Sequence, residues 1–278
     1  MVGRVWGCRG SLATPGPDTV TYGGNTSCVE VRLGDGTLIV LDAGTGIRRL
    51  GAALGDDAPQ TIHLLLTHLH IDHLEGLGFF GPIWRESTEL HVWGPPSPRR
   101  TLAQRVARYL SPPLFPIELS TIPARITFND VPGEPWPIGA ATISADSIFH
   151  PGPTVGYRVE ENGNALAYLP DHEPALGPDL AVATRDWVSG CGIAGGVDLL
   201  LHDAQYTADE YAERIGWGHS SVDHAVRVAQ LAEARRLVLF HHDPQHSDHD
   251  LEDLLEHAYR AAGNGGVILA REGMEISV

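Results

Sequence analysis

A layered α/β domain is the fold class that this sequence predicts, and three observations predict it. Short apolar runs recur along the chain, 61–66 (TIHLLL) and 237–240 (LVLF) most clearly, and such runs read as buried strands. Helical segments at 46–54, 97–109, 222–234 and 247–262 are interspersed among them. The 278 residues, 42% hydrophobic, suffice for one large core or two small ones, and α/β folds of this length are often single domains. We therefore expect one domain over 1–278.

Taken in order, 2–6 reads as a first or edge strand. The turn-rich stretch 7–25 carries Thr14-Pro15-Gly16-Pro17-Asp18 and Gly23-Gly24-Asn25. Its backbone amides and Asn25 either line a substrate site or belong to an ordinary surface loop, and the sequence leaves both open. Residues 27–33 alternate, and Gly34-Asp35-Gly36 turns the chain into a strand over 37–42. Asp42 at its end either braces a neighbouring imidazole or is simply a turn former. The 76–84 stretch gathers Phe79, Phe80 and Trp84, a wall for a substrate base or plain core. A strand over 89–93 precedes the 97–109 helix, which has Ser97 as N-cap and Pro98 in its first turn. Ser111-Pro112-Pro113-Leu114-Phe115-Pro116 stops that helix and either overhangs the site or connects rigidly.

Beyond a Pro/Gly turn cluster at 133–137, residues 141–149 alternate and end at His150-Pro151-Gly152. Strands over 154–160 and 164–170 flank Glu161-Asn162-Gly163 as a hairpin, and Asp171 follows. An apolar strand over 198–202 leads to Gly216-Trp217-Gly218-His219-Ser220-Ser221, where Ser220 or Ser221 caps the 222–234 helix. The last core strand, 237–240, runs into His241-His242. Ser247 caps the terminal helix, with Asp248, Asp250 and Glu252 favouring its dipole, and 267–270 closes the chain as a short strand.

The chemistry concentrates in Thr67-His68-Leu69-His70-Ile71-Asp72-His73, directly after the 61–66 strand. Sites collect at strand ends in α/β architectures. His68 and His70 are two apart, so on an extended chain they point the same way. Asp72 and His73 come round as the chain turns. The arrangement suits two metal ions side by side, one on the His pair and one on Asp72 and His73. Imidazole and carboxylate are ligands that Zn²⁺, Mn²⁺ and Fe accept. Burying that much polarity without a partner is costly, so a plain structural role explains the cluster poorly.

His-x-His-x-Asp-His after an apolar strand resembles the motif of the metallo-β-lactamase fold superfamily. Leu41-Asp42-Ala43-Gly44-Thr45-Gly46 resembles its early Asp-x-Gly turn. His150, Asp171 and the His241-His242 pair fall in the order of its remaining ligands, so the likeness runs along the whole chain. Gly-His-Ser at 218–220 is similar to the branch of ribonuclease Z and smaller phosphodiesterases.

The resemblance implies a four-layer αββα sandwich, two mixed β-sheets flanked by helices, with two pseudo-equivalent halves joined within 110–140. It implies that His68, His70 and His150 hold one divalent ion, that Asp72, His73 and His241 hold the other, and that Asp171 bridges. His241 fits the last position better than His242, because it comes first after the apolar run. Asn25, His219 and His242 are candidates for touching substrate. Coordination brings the pKa of water from about 15.7 towards about 7, which supplies a nucleophile at neutral pH. Asp72 is a candidate to orient that water or accept its proton. His219 is a candidate to stabilise phosphoryl charge or protonate the leaving oxygen. A homodimer is expected from the branch.

Composition narrows the substrate. With 35 acids against 19 bases the formal net charge is −16, and the longest basic clusters are pairs such as Arg48-Arg49, Arg99-Arg100 and Arg235-Arg236. A protein gripping a long polyanion normally shows a basic face, so long nucleic acid is disfavoured. No Gly/Pro-rich segment resembles the arm with which ribonuclease Z holds transfer RNA. A small phosphodiester such as a cyclic nucleotide is the expected substrate. Three readings stay open beside it: a ribonuclease Z-like nuclease, a carbonyl hydrolase of lactone or thioester type, and a metal-binding sensor without activity. Cys8, Cys28 and Cys191 are odd in number and widely spaced, which fits a reducing compartment and no thiolate zinc site. No apolar stretch approaches the roughly 18 residues of a membrane span, and the N-terminus lacks a long apolar segment, so a cytoplasmic protein is expected.

Overall fold

The computed structural model describes residues 1–176, 180–263 and 266–278. Its frame is two seven-stranded sheets stacked face to face. The first holds β1 (Val2–Gly7), β2 (Cys28–Arg32), β3 (Leu38–Leu41), β4 (Thr61–Leu65), β5 (Glu89–Gly94) and β6 (Arg125–Asp130). The second holds β7 (Trp136–Ile138), β8 (Ala141–Ser147), β9 (Val155–Glu161), β10 (Asn164–Leu169), β11 (Leu199–Asp203), β12 (Leu237–Phe240) and β13 (Val267–Leu269). The C-terminal β14 (Glu275–Ser277) returns to pair antiparallel with β1 in the first sheet. The chain changes sheet between Asp130 and Trp136, inside the expected 110–140 interval.

Both sheets are mixed, as expected. In the first, β3 to β6 run parallel while β1 and β2 are antiparallel. In the second, β10 to β13 run parallel while β7 to β10 form a meander. The period-2 alternation of strands decides the layers. Along β3, Ile39 and Leu41 face the other sheet, and Leu38 and Val40 face outward. The inner layer joins Val31 and Leu65 of one sheet to Tyr157, Leu201 and Phe240 of the other. Each such fully buried side chain contributes roughly 1.5–3 kcal/mol of hydrophobic free energy.

Helices cover both outer faces, which completes four layers. Helix α1 (Gly46–Leu54) buries Ile47, Leu50 and Gly51, the i, i+3, i+4 stripe of a helix on a sheet. Helix α2 (Leu102–Val106) lies on the same side. On the far face lie α4 (Val222–Leu231) and α5 (Asp248–Ala262), while α3 (Ala208–Ala212) is a short turn of helix between β11 and α4. Ser221 caps α4, and Ser247 caps α5 in a reciprocal box with Asp250. The α5 helix ends at Gly263, whose φ of 69° is the left-handed conformation that glycine adopts readily.

Three expectations change, and one pair of open readings is decided. The helix expected over 97–109 is only Leu102–Val106, with Thr101 rather than Ser97 as its cap. Pro98 biases Ser97 away from helical geometry, and the Thr101/Gln104 capping box wins one turn later. The turn expected at 133–137 contains the start of β7; as an edge strand it tolerates Pro137 between the inward Trp136 and Ile138. Strands β6 and β14 and helix α3 were not expected, because their short, polar sequences carry little period. Finally, Phe80 is core, and Phe115 of the 111–116 loop is buried in the outer layer against Phe79, which makes that loop a packed connection.

One histidine pair makes stability depend on pH. His63 on β4 and His91 on β5 stack with ring centroids 5.0 Å apart. Burial, then the neighbouring His91, pushes His63 down to about 4 from the ordinary 6.5. The unfolded chain therefore binds the proton more readily than the fold, so the contribution of His63 to stability is complete above pH 6.5 and declines as pH falls through the window from 6.5 to about 4. His63→Gln is expected to flatten the acid decline of the unfolding midpoint, measured from pH 7 to pH 4.5 by thermal circular dichroism. An unchanged slope would remove His63 as its source.

Candidate metal centre

Apart from His219, which lies in the loop before α4, the acidic and imidazole groups of the site lie at or just beyond the carboxyl ends of strands, on one shared edge of the sandwich. Asp42 follows β3, the 68–73 cluster follows β4, His150 follows β8, Asp171 follows β10, Asp203 ends β11, and His241 follows β12. Two of these, Asp42 (φ 60°) and His241 (φ 60°), occupy the left-handed region, which non-glycine residues enter at a cost of about 1–3 kcal/mol each. The strain falls where the strand must stop and its next side chain must turn to the cluster.

The predicted ligands converge as two sets. His68, His70, His150 and Asp171 bring one atom each to within 4.8 Å of one another, and so do Asp72, His73, Asp171 and His241. Asp171 belongs to both. Its Oδ1 lies 2.8 Å from His73 Nε2 and 3.2 Å from His241 Nε2, while its Oδ2 lies 3.6 Å from His68 Nε2 and 3.7 Å from His150 Nε2. Asp72 Oδ2 stands 3.2 Å from His73 Nε2 and 3.3 Å from His241 Nε2. All but His70 are buried.

The outer hydrogen bonds reveal which nitrogens carry lone pairs. His73 Nδ1–H donates to Asp42 (2.8 Å), His150 Nδ1–H to the Gly218 carbonyl (2.7 Å) and His241 Nδ1–H to Gln205 Oε1 (2.9 Å). Thr67 donates its hydroxyl to Asp42 and stands 3.1 Å from His68 Nδ1, from which it can accept. Each Nε2 is thus left with a lone pair aimed at the Asp171 and Asp72 carboxylates. Lone pairs cannot bond one another, and His68 Nε2 and Asp171 Oδ1 are buried with no hydrogen-bond partner among the described residues. Cations between the two rows would satisfy both, and orienting partners on the far ring nitrogens are the usual support of metal-binding imidazoles. The donor set therefore fits a pair of divalent ions.

Electrostatics agree. Burial opposes a charge on His73, yet the carboxylates of Asp171, Asp72 and Asp42 hold it well above its ordinary value. The centre is negative enough to demand a cation. Burial pushes His150 down to about 4 and His68 well below the usual imidazole value, so both are neutral ligands.

His219 sits beside both sets. Its ring stacks on His241 at 4.9 Å and 16°, and Nδ1–H donates to Asp203 Oδ2 at 2.7 Å. Burial disfavours its charge, but Asp203, followed by Asp171 and Asp72, raises it to about 9. Asp203 is itself fixed by the amides of His172, Gln205 and Ser220. Glu173 clamps the preceding turn by accepting from the amides of Gly216 and Gly218. Gly218 must be glycine: its φ is 91°, and a Cβ would meet Pro151 Cδ at 2.2 Å and His150 Nδ1 at 2.5 Å.

Two expected substrate contacts are not brought to the centre. The Asn25 side-chain amide donates to Glu272 (3.0 Å), so it organises its own loop. His242 turns away, with Nε2 on the Ala270 carbonyl at 2.9 Å. The 7–25 loop does reach the site, but through Gly10, where a Cβ would strike the His241 ring, and Ser11, whose amide donates to Asp72 Oδ2 at 2.8 Å. Asp203, Gln205 and Ser11 escaped the sequence reading. Asp203 alone had a signal, an acid at the end of an apolar strand as with Asp171.

Two stacked mixed sheets carrying paired His/Asp donor sets at their common edge define a metal-dependent hydrolase of the metallo-β-lactamase fold. A model of the beta-lactamase superfamily domain matches residues 37–242. The chain belongs to that superfamily, in its ribonuclease Z-like branch. The ribonuclease Z of Myxococcus xanthus (strain DK1622) is 26% identical over 282 aligned positions, covering 87% of this chain and 88% of that protein. The metallo-beta-lactamase fold protein YhfI from Bacillus subtilis superposes with a TM-score of 0.72 at 20% identity, covering 99% of this chain and 98% of that one. A diphosphatase from the PhnP family superposes with a TM-score of 0.70 at 19% identity, covering 100% and 97%.

Proposed function

We propose that the protein is a dinuclear phosphodiesterase acting on a small phosphodiester such as a cyclic nucleotide, with zinc as its metal and the cytoplasm as its place of action. The observation that carries this reading is Asp171, one carboxylate whose two oxygens each face a separate set of imidazole lone pairs. Bound there, two divalent ions supply Lewis acidity on the phosphoryl oxygens and a nucleophile available at neutral pH. The protein's own groups do the rest. Asp72, held by the Ser11 amide, stays ionised and accepts a proton from the attacking water. His219, oriented by Asp203, keeps Nδ1 engaged and offers Nε2 to the leaving oxygen. A net charge of −16 and a cavity of about 440 Å³ beside His68 and His70 favour a small substrate. Three free, buried cysteines are compatible with a reducing compartment, and no described helix is long and apolar enough to cross a membrane.

Metal-loaded protein is expected to hydrolyse bis-p-nitrophenyl phosphate and a cyclic nucleotide, and chelation is expected to abolish both activities. Full activity after chelation would refute the reading. The relationship to ribonuclease Z supports a nuclease as the second reading. Cleavage of a precursor transfer RNA with higher kcat/KM than any small diester would favour that reading instead.

A further inference from the structure

The cavity next to the first donor set has a composition that the hydrolytic chemistry leaves unused. His68 and His70 form its floor, Leu69, Pro98, Pro151 and Pro153 its apolar walls, and Arg99 and Arg105 its basic side. Prolines have fixed φ, so these walls are preformed. Contact with Gly218 pins one of them, since Pro151 lies within 2.2 Å of the Cβ that Gly218 lacks. The two arginines differ. Arg105 is anchored, donating to the Pro95 carbonyl at 2.5 Å and standing 3.6 Å from Asp130 Oδ1. The Arg99 guanidinium has no hydrogen bond or ion pair with any described residue, although its backbone amide bonds Ser97 Oγ at 3.4 Å. Arg99 is solvent-exposed, and what sets it apart from other unpaired surface arginines is that it lines the same cavity as His68 and His70, two imidazoles of the first donor set.

We infer that this cavity receives the part of the substrate beyond the scissile phosphate, and that Arg99 selects substrates carrying a second anionic group there. The inference rests on the phosphodiesterase reading and adds that, among small diesters, those bearing a further phosphate or carboxylate are preferred. The volume of about 440 Å³ suits a nucleoside-sized group, and a guanidinium is the side chain whose fork matches a phosphate or carboxylate. Arg99 is a specificity-determining residue and takes no part in bond making.

The test compares metal-loaded wild type, Arg99→Gln, Arg99→Lys and a remote control, Arg4→Gln. The probes are the p-nitrophenyl ester of thymidine 5′-phosphate, with and without an added 3′-phosphate. Wild type is expected to prefer the 3′-phosphorylated probe, and Arg99→Gln to lose about tenfold of that kcat/KM ratio, the scale of one charge-assisted contact. Arg99→Lys should recover part of it, rising salt should erode it in wild type, and Arg4→Gln should keep it. A second readout does not need turnover: calorimetric affinity for adenosine 3′,5′-bisphosphate relative to adenosine 5′-monophosphate, with the advantage lost in Arg99→Gln. If neither probe is hydrolysed, the phosphodiesterase reading fails and the calorimetric arm still decides the role of Arg99. Equal ratios in wild type and Arg99→Gln by both readouts would overturn the inference.

Discussion

Asp171→Asn protein is expected to hold fewer than two metal ions per chain and to hydrolyse phosphodiesters at least about a thousandfold more slowly. The size follows from position. Asp171 is the one residue shared by the two four-membered donor sets, with Oδ1 in one and Oδ2 in the other. A carboxylate there screens the mutual repulsion of two divalent charges. An amide of the same shape keeps one acceptor but replaces the other oxygen with a donor, which points hydrogens at a cation. Burial is already working against the Asp171 charge, and only the surrounding imidazoles of His241, His73 and His68 hold its carboxyl well below the usual range. About a thousandfold corresponds to roughly 4 kcal/mol, within the several kcal/mol expected of metal stabilisation. Metal analysis of the purified variant and its rate on bis-p-nitrophenyl phosphate check the prediction. Two retained ions with activity within tenfold of wild type would show that Asp171 does not bridge.

The residues that sequence alone exposed are those whose spacing is local. His68, His70, Asp72 and His73 lie within six positions after an apolar strand, and that density has few explanations besides a metal. His150, Asp171 and His241 were found through the resemblance, and the structure gathers all of them. The Asp42 brace was one of two open readings, and His73 settles it at 2.8 Å. What stayed hidden depends on long-range pairing. Ser11 contributes a backbone amide, which any residue type supplies. Gln205 acts by facing His241 from the segment after the neighbouring strand β11, a contact with no periodicity to betray it. Asn25 and His242 misled for the same reason: proximity in sequence to site residues says nothing of where a side chain turns. In the fold, strongly apolar strands such as β12 were legible to the residue, whereas β6 and β7, polar or proline-bearing edge strands, were not.

His219→Ala is expected to separate two kinds of substrate. A diester that expels an alkoxide needs a proton at the leaving oxygen, and loss of a positioned general acid there slows it by about 10²–10⁴-fold. A p-nitrophenolate leaves without that proton, so bis-p-nitrophenyl phosphate should lose much less. The role follows from how His219 is held. Nδ1–H is committed to Asp203 at 2.7 Å, the ring is fixed by stacking on His241 at 4.9 Å, and Nε2 is the nitrogen left for substrate. Asp203 is fully buried and accepts from His219 Nδ1, so it acts on the leaving oxygen through that ring. Asp203→Asn should therefore show the same leaving-group dependence with a smaller loss. In the double variant the two losses should fall short of adding, because removing the ring leaves the carboxylate nothing to orient. Rates on a cyclic nucleotide and on bis-p-nitrophenyl phosphate for the two single variants and the double one measure all of this. Equal losses on both substrates would reduce His219 to a packing residue beside His241 and leave the proton to Asp72 or solvent.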